Sequence, residues 1–145
     1  MTAREVVFGP EDGARHQVVG DSVRVLVTAA DTGGAFEMFE LSGPRGSGQP
    51  PHTHPWVESY SVIDGTIDLR IEERDIAARA GCFVQIPAGT VHSYQITSEI
   101  ARVIVVTTPK GAADFFREVD GVTDIERIVE IAVRHGVTLA EAARV

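Results

Sequence analysis

His52-Thr53-His54-Pro55-Trp56-Val57-Glu58 is the stretch on which the fold turns, and His92 is its distant partner. Side chains on a strand alternate between its two faces with a period of two. His52, His54 and Glu58 all carry even numbers, so an extended run over residues 52–63 sends all three from one face. Two imidazoles and a carboxylate crowded on one face are costly unless something binds them, and a metal ion is the simplest such group.

Outward from that stretch, the first hundred residues read as short strands broken by turn residues. Val23-Arg24-Val25-Leu26-Val27 is β-branched and partly alternating. Asp31-Thr32-Gly33-Gly34 predicts a turn, residues 35–41 a strand, and residues 43–48 a loop. Residues 56–63 read as extended, and Asp64-Gly65 predicts a hairpin into residues 66–71. Residues 82–86, 92–96 and 102–107 read as further strands, with Pro87-Ala88-Gly89 as a turn between the first two. Many short strands at regular spacing predict a sandwich or barrel.

The pattern then changes. Thr123-Asp124-Ile125-Glu126 reads as a capping box. Ile125, Ile128, Val129, Ala132 and Val133 follow helical spacing, and Gly136 is a natural stop after His135. Thr138 to Glu141 repeats the capping pattern and predicts a short final helix. Residues 114–145 are therefore expected to form a helical appendage to a barrel over about residues 4–112, all within one domain of 145 residues.

Composition bounds the function. Hydrophobic residues make up 43% and charged residues 23%, as in an ordinary globular chain. The formal net charge is −8 with no basic run, which argues against nucleic acid or an anionic membrane as partner. Met1-Thr2-Ala3-Arg4-Glu5 lacks the basic-then-apolar pattern of a signal peptide, and Val103-Ile104-Val105-Val106 is too short to span a bilayer. Cys82 is the single cysteine and has no basic neighbour in sequence, so it reads as a small apolar residue and not as a nucleophile. A cytoplasmic location is the expectation.

The frame around the histidines is more specific than the histidines themselves. Gly46 is followed after five residues by His52-x-His54, after three more by Glu58, and after six more by Gly65. Fifteen residues later Gly81 opens a second frame: five residues, Pro87-x-Gly89, two residues, His92. These two frames resemble the paired signature motifs of the cupin superfamily. The departure is Ile96, which stands where the family usually carries Asn.

The resemblance implies an all-β antiparallel jelly-roll barrel with a metal inside, and a short C-terminal helical segment outside the motifs. It carries His52, His54, Glu58 and His92 onto the family's ligand positions, and leaves Glu58 open as ligand or base. Imidazole with one carboxylate suits a single divalent transition metal, with Zn first and Fe, Ni, Cu or Mn as the others. Trp56, Tyr60 and Tyr94 share the even-numbered face, and Phe36 and Met38 from an earlier strand are expected to join them around a substrate cavity.

Small single-domain bacterial cupins of this kind resemble polyketide cyclases of aromatic natural-product and antibiotic pathways. In that reading the metal polarises a carbonyl, and Glu58 or His92 moves the proton in an aldol closure with loss of water. The runner-up is a quercetinase-type dioxygenase, which needs a redox-active metal. A non-catalytic metal- or ligand-binding module is the third reading. The expected partner is a small aromatic or polyketide-like molecule, and exposed barrel edges allow a homodimer.

Overall fold

A computed structural model of the chain describes residues 2–140. Ten strands precede the helices: β1 (Arg15–Val18), β2 (Asp21–Val27), β3 (Glu37–Pro44), β4 (Gly48–Thr53), β5 (Val57–Asp64), β6 (Thr66–Ile71), β7 (Arg74–Arg79), β8 (Phe83–Ile86), β9 (His92–Ile96) and β10 (Ile100–Thr108). Two helices follow, α1 (Ala112–Val119) and α2 (Ile125–Arg134), then a last strand, β11 (Thr138–Leu139). All pairings are antiparallel, in a sheet ordered β1-β2-β3-β10-β5-β8 and a second ordered β11-β4-β9-β6-β7. This is the expected two-sheet jelly roll. No helix among the described residues is long and apolar enough to cross a membrane.

The inward faces carry the core. Val23, Phe39, Leu69, Ile86, Ile96, Val103 and Val105 are buried between the sheets. Burying apolar area of this kind is the main favourable contribution to folding, at roughly 25 cal/mol per Å². Phe115 and Val119 of α1 are buried too, and Phe116 packs edge-on against Phe39 with ring centroids 5.0 Å apart.

Several sequence expectations are corrected here. Asp64-Gly65 is not a hairpin: β5 and β6 lie in different sheets, so the turn is a corner. Gly65 has a positive φ of 79°, and a Cβ on it would stand 2.3 Å from the Ile100 carbonyl oxygen, so only glycine lets β10 pass over this corner. The loop over residues 43–48 shrinks to three residues, because β3 runs through Pro44 and β4 starts at Gly48.

The capping pattern read at Thr138 to Glu141 opens as strand instead, and the short final helix expected after it lies mostly outside the described residues. Thr138 and Leu139 pair with Thr53 and His52 as strand β11, where backbone partners on β4 outweigh the local capping pattern, and residues 141–145 lie outside the described residues. The cap of α2 is Asp124, whose Oδ1 accepts from the Glu126 backbone N–H, and not Thr123. Ile131 and Ala132 are the buried residues of α2, whereas Ile125 and Val133 are exposed.

Glu37 sets where α1 sits. Its carboxylate is buried and accepts three backbone N–H bonds, from Ala29 at 3.0 Å, Gly111 at 3.2 Å and Ala113 at 3.0 Å. Two of these donors belong to the start of α1, where N–H groups have no partner within the helix. The start of β3 thereby anchors the helix whose Phe115 and Phe116 help to line the barrel cavity.

Candidate metal centre

The extended run expected over residues 52–63 is two strands. β4 ends at Thr53, β5 begins at Val57, and His54-Pro55-Trp56 carries the chain from one sheet to the other. The alternation nevertheless survives the crossing, since His52, His54, Trp56, Glu58, Tyr60 and Val62 are all buried. His92 arrives from β9, directly opposite His52 in the ladder. The Pro87-Ala88-Gly89 turn ahead of it is docked by a bond from the Gly89 N–H to the His54 carbonyl at 3.0 Å.

The three imidazoles are fixed in one way. Each Nδ1 donates to a backbone carbonyl two residues away: His52 to Pro50 at 2.7 Å, His54 to Trp56 at 3.0 Å, His92 to Thr90 at 2.8 Å. A carbonyl can only accept, so each Nδ1 carries the proton and each neutral ring has its lone pair on Nε2. One ligand nitrogen from each of the three rings lies within 4.8 Å of those of the others. Three lone pairs converging in a buried place repel one another unless a cation sits among them. The His92 Nε2 is buried without a hydrogen-bond partner, which is the mark of a group built to bind something else.

Glu58 completes the cluster from β5. Its Oε1 lies 3.4 Å from His54 Nε2 and 3.3 Å from His92 Nε2, and accepts the Tyr60 hydroxyl at 2.6 Å. The His92 contact is close but not aligned as a hydrogen bond. Burial alone would push the Glu58 carboxyl up, yet without a metal the adjoining His54 and His92, as cationic rings donating from Nε2, outweigh it and hold the carboxyl below the usual carboxylate range. Burial, reinforced by the neighbouring His92, pushes His52 down to about 4. Burial also works to lower His92, but the Glu58 carboxylate beside it raises it overall. Tyr60 and Tyr94 are pushed well up, by burial first and then by the neighbouring carboxylates, so their hydroxyls remain donors.

The cavity over this centre is about 40 Å³, room for a few waters or one reacting group. Trp56, Tyr60 and Tyr94 line it as expected from parity. Phe36 and Met38 do not, which corrects that expectation: on β3 the odd residues Glu37, Phe39 and Leu41 face inward, and Phe36 is 36% exposed. Residues 36–41 carry apolar side chains at both parities, so period two alone could not choose the face. Phe39 and Leu41 line the cavity instead.

Asp21 was not foreseen. It is buried on the cavity wall, accepting hydrogen bonds from Ser47 and Tyr94, and burial raises its carboxyl despite both donors. Its position before Ser22-Val23 reads locally as a turn residue and gives no signal of this role. His16 and His135 lie elsewhere, paired with Asp120 at 3.1 Å and Glu118 at 2.7 Å. Cys82 is half-buried.

The family model for the cupin domain matches residues 39–107. Quercetin 2,3-dioxygenase of Bacillus subtilis (strain 168) is 29% identical over 102 residues, which cover 69% of this chain and 30% of that protein. The chain thus spans less than a third of that relative's length. Among solved structures, KdgF from Halomonas sp. superposes with a TM-score of 0.67 at 16% identity, over 74% of this chain and 96% of that one. The polyketide cyclase RemF from Streptomyces resistomycificus gives a TM-score of 0.63 at 20% identity, over 72% and 79% respectively. At these identities the two structures speak for the fold.

Proposed function

We propose that the chain, whose residues 39–107 match the cupin domain model, is a metal-dependent cupin enzyme closing a ring in a polyketide-like substrate. The observation that carries the reading is the convergence of three Nε2 atoms beside one buried carboxylate. His52, His54 and His92 would hold the metal, and the orphaned His92 Nε2 is one of the atoms it would satisfy. A bound divalent ion supplies Lewis-acid polarisation of a substrate carbonyl, and zinc suits this nitrogen-rich donor set without redox chemistry.

Glu58 is the proton-accepting group. The Tyr60 hydroxyl fixes its Oε1 in place. The carboxylate takes a proton from the carbon next to the carbonyl. That carbon bonds to a second carbonyl of the substrate chain, whose oxygen receives the proton. A second proton, moved by Glu58 from the same carbon to the new hydroxyl, lets its C–O bond break and water leave. Phe39, Trp56, Tyr94 and Phe115 hold the reacting end in an apolar pocket. Restricting a flexible chain in this way is a large part of what ring closure needs. The remainder of a long substrate stays outside the cavity, which admits only its end.

A quercetinase-type dioxygenase is the second reading, favoured by the likeness over 102 residues to a curated protein of that name. Turnover with and without oxygen separates the two. A linear poly-β-ketone should cyclise at the same rate in anaerobic and aerated buffer. Stoichiometric oxygen uptake with a flavonol, and no anaerobic ring closure, would reverse the choice.

A further inference from the structure

Trp56 is the chain's single tryptophan, 3% exposed, and lies between His54 and Glu58 on the inward face. Its six-membered ring packs against Gly111, where a Cβ would come within 3.0 Å of Cε3 and 3.1 Å of Cζ3. Its face stacks on His54, with centroids 4.6 Å apart and planes 12° from parallel. Nε1 sits across the indole from Cε3 and Cζ3, so these contacts leave the N–H edge turned away from Gly111. The ring lines the same cavity as His52, His54 and Glu58.

Indole Nε1 is a donor only, and here it is buried with no acceptor. Among the neighbouring residues Glu58 Oε1 takes the Tyr60 hydroxyl and the Trp56 carbonyl takes His54 Nδ1, and neither receives the indole N–H. A phenylalanine would give the stack without the cost of a buried orphan donor. The indole therefore points to an acceptor that arrives with the ligand.

We propose that the Trp56 Nε1–H is the second anchor for ligands of the metal centre. It binds one acceptor oxygen of a compound whose neighbouring oxygen sits at the metal, a carboxylate being the simplest case and the enolised dicarbonyl of a polyketide the larger one. This rests on the metal-dependent reading above. It selects substrates with two closely spaced oxygens, and the small cavity agrees with a reacting group of that size.

The test uses zinc-loaded, 15N-labelled full chain, in which the one tryptophan gives one indole resonance. Acetate and imidazole are the probes: both ligate zinc, and only acetate brings a second acceptor. Acetate should move the indole proton downfield and slow its exchange, and imidazole should do neither. Trp56→Phe should weaken acetate about 3–10-fold and leave imidazole affinity and zinc content unchanged. Acetate that fails to bind, or binds without moving the indole resonance, overturns the proposal, as does an equal loss for both probes. Failure of the wild-type chain to take up zinc is read separately, by metal analysis, and overturns the metal-dependent reading itself.

Discussion

Glu58 and Asp21 are both buried carboxylates capped by a tyrosine hydroxyl, yet their surroundings push them in opposite directions. Glu58 faces two imidazoles and is held below the usual carboxylate range, whereas Asp21 has only hydroxyl donors and burial wins. Glu58→Gln keeps the shape and the acceptor for Tyr60 but cannot take a proton. Bound zinc should stay near one per chain while turnover falls by roughly 100-fold or more. Metal loss matching the loss of turnover would make Glu58 a ligand instead of a base. For Asp21, a raised carboxyl means that the folded chain binds the proton more tightly than the unfolded one. Its destabilising effect is absent below the ordinary value of 3.8 and grows as pH rises through the raised one. The melting temperature of Asp21→Asn, relative to wild type, should thus climb between about pH 3.5 and pH 7. A flat or falling difference would contradict the assignment. The parity of residues 52–62 was legible in the sequence because every inward position carries a chemically distinct side chain. The inward face of β3 was not, because Phe36, Met38, Phe39 and Leu41 spread apolar character over both faces.

Among the elements, α1 depends most on a single distant side chain. Glu37 accepts two N–H groups at its start and a third from Ala29, and none of those donors has another partner at that end of the helix. Glu37→Ala leaves them buried and unpaired, at a cost of about 2–4 kcal/mol. Denaturant unfolding should show that loss, and proteolysis should cut first near residues 109–113. A variant as stable as wild type would mean that water replaces the carboxylate. Helix α2 was visible from its own spacing, whereas α1 fell within the stretch read as helical from residue 114 without bounds of its own, since Ala112-Ala113-Asp114-Phe115-Phe116 offers no cap or clear stripe. The Asp64-Gly65 corner was misread for a related reason. The same dipeptide serves a hairpin or a change of sheet, and only the passage of β10 over Gly65 decides which.

For the molecule as a whole, metal binding and folding are linked. The histidines come from β4, the β4–β5 crossing and β9, so the unfolded chain has no preformed site, and a metal that binds only the folded form stabilises it. At one hundred times the dissociation constant the gain is about 2.7 kcal/mol, or roughly 8–10 °C in melting temperature for a chain of this size. Zinc should raise the wild-type melting temperature by that order and leave His52→Ala and His92→Ala unmoved. Equal shifts in all three would remove the histidines from the ligand set.

What the sequence determined by itself is local or periodic: the barrel class, from many short strands, and the four polar side chains in two glycine-bounded frames. Alternation along a strand is a property of the backbone and survives even where β4 crosses to β5. What only the tertiary structure decided is which distant segments meet. The pairing of β11 with the His52 strand, the Glu37 anchor on α1, the placing of Asp21 on the cavity wall and the orphaned indole N–H of Trp56 all depend on contacts between residues far apart in the chain. No pattern of period two or 3.6 encodes such contacts; they follow from how the two sheets close on each other.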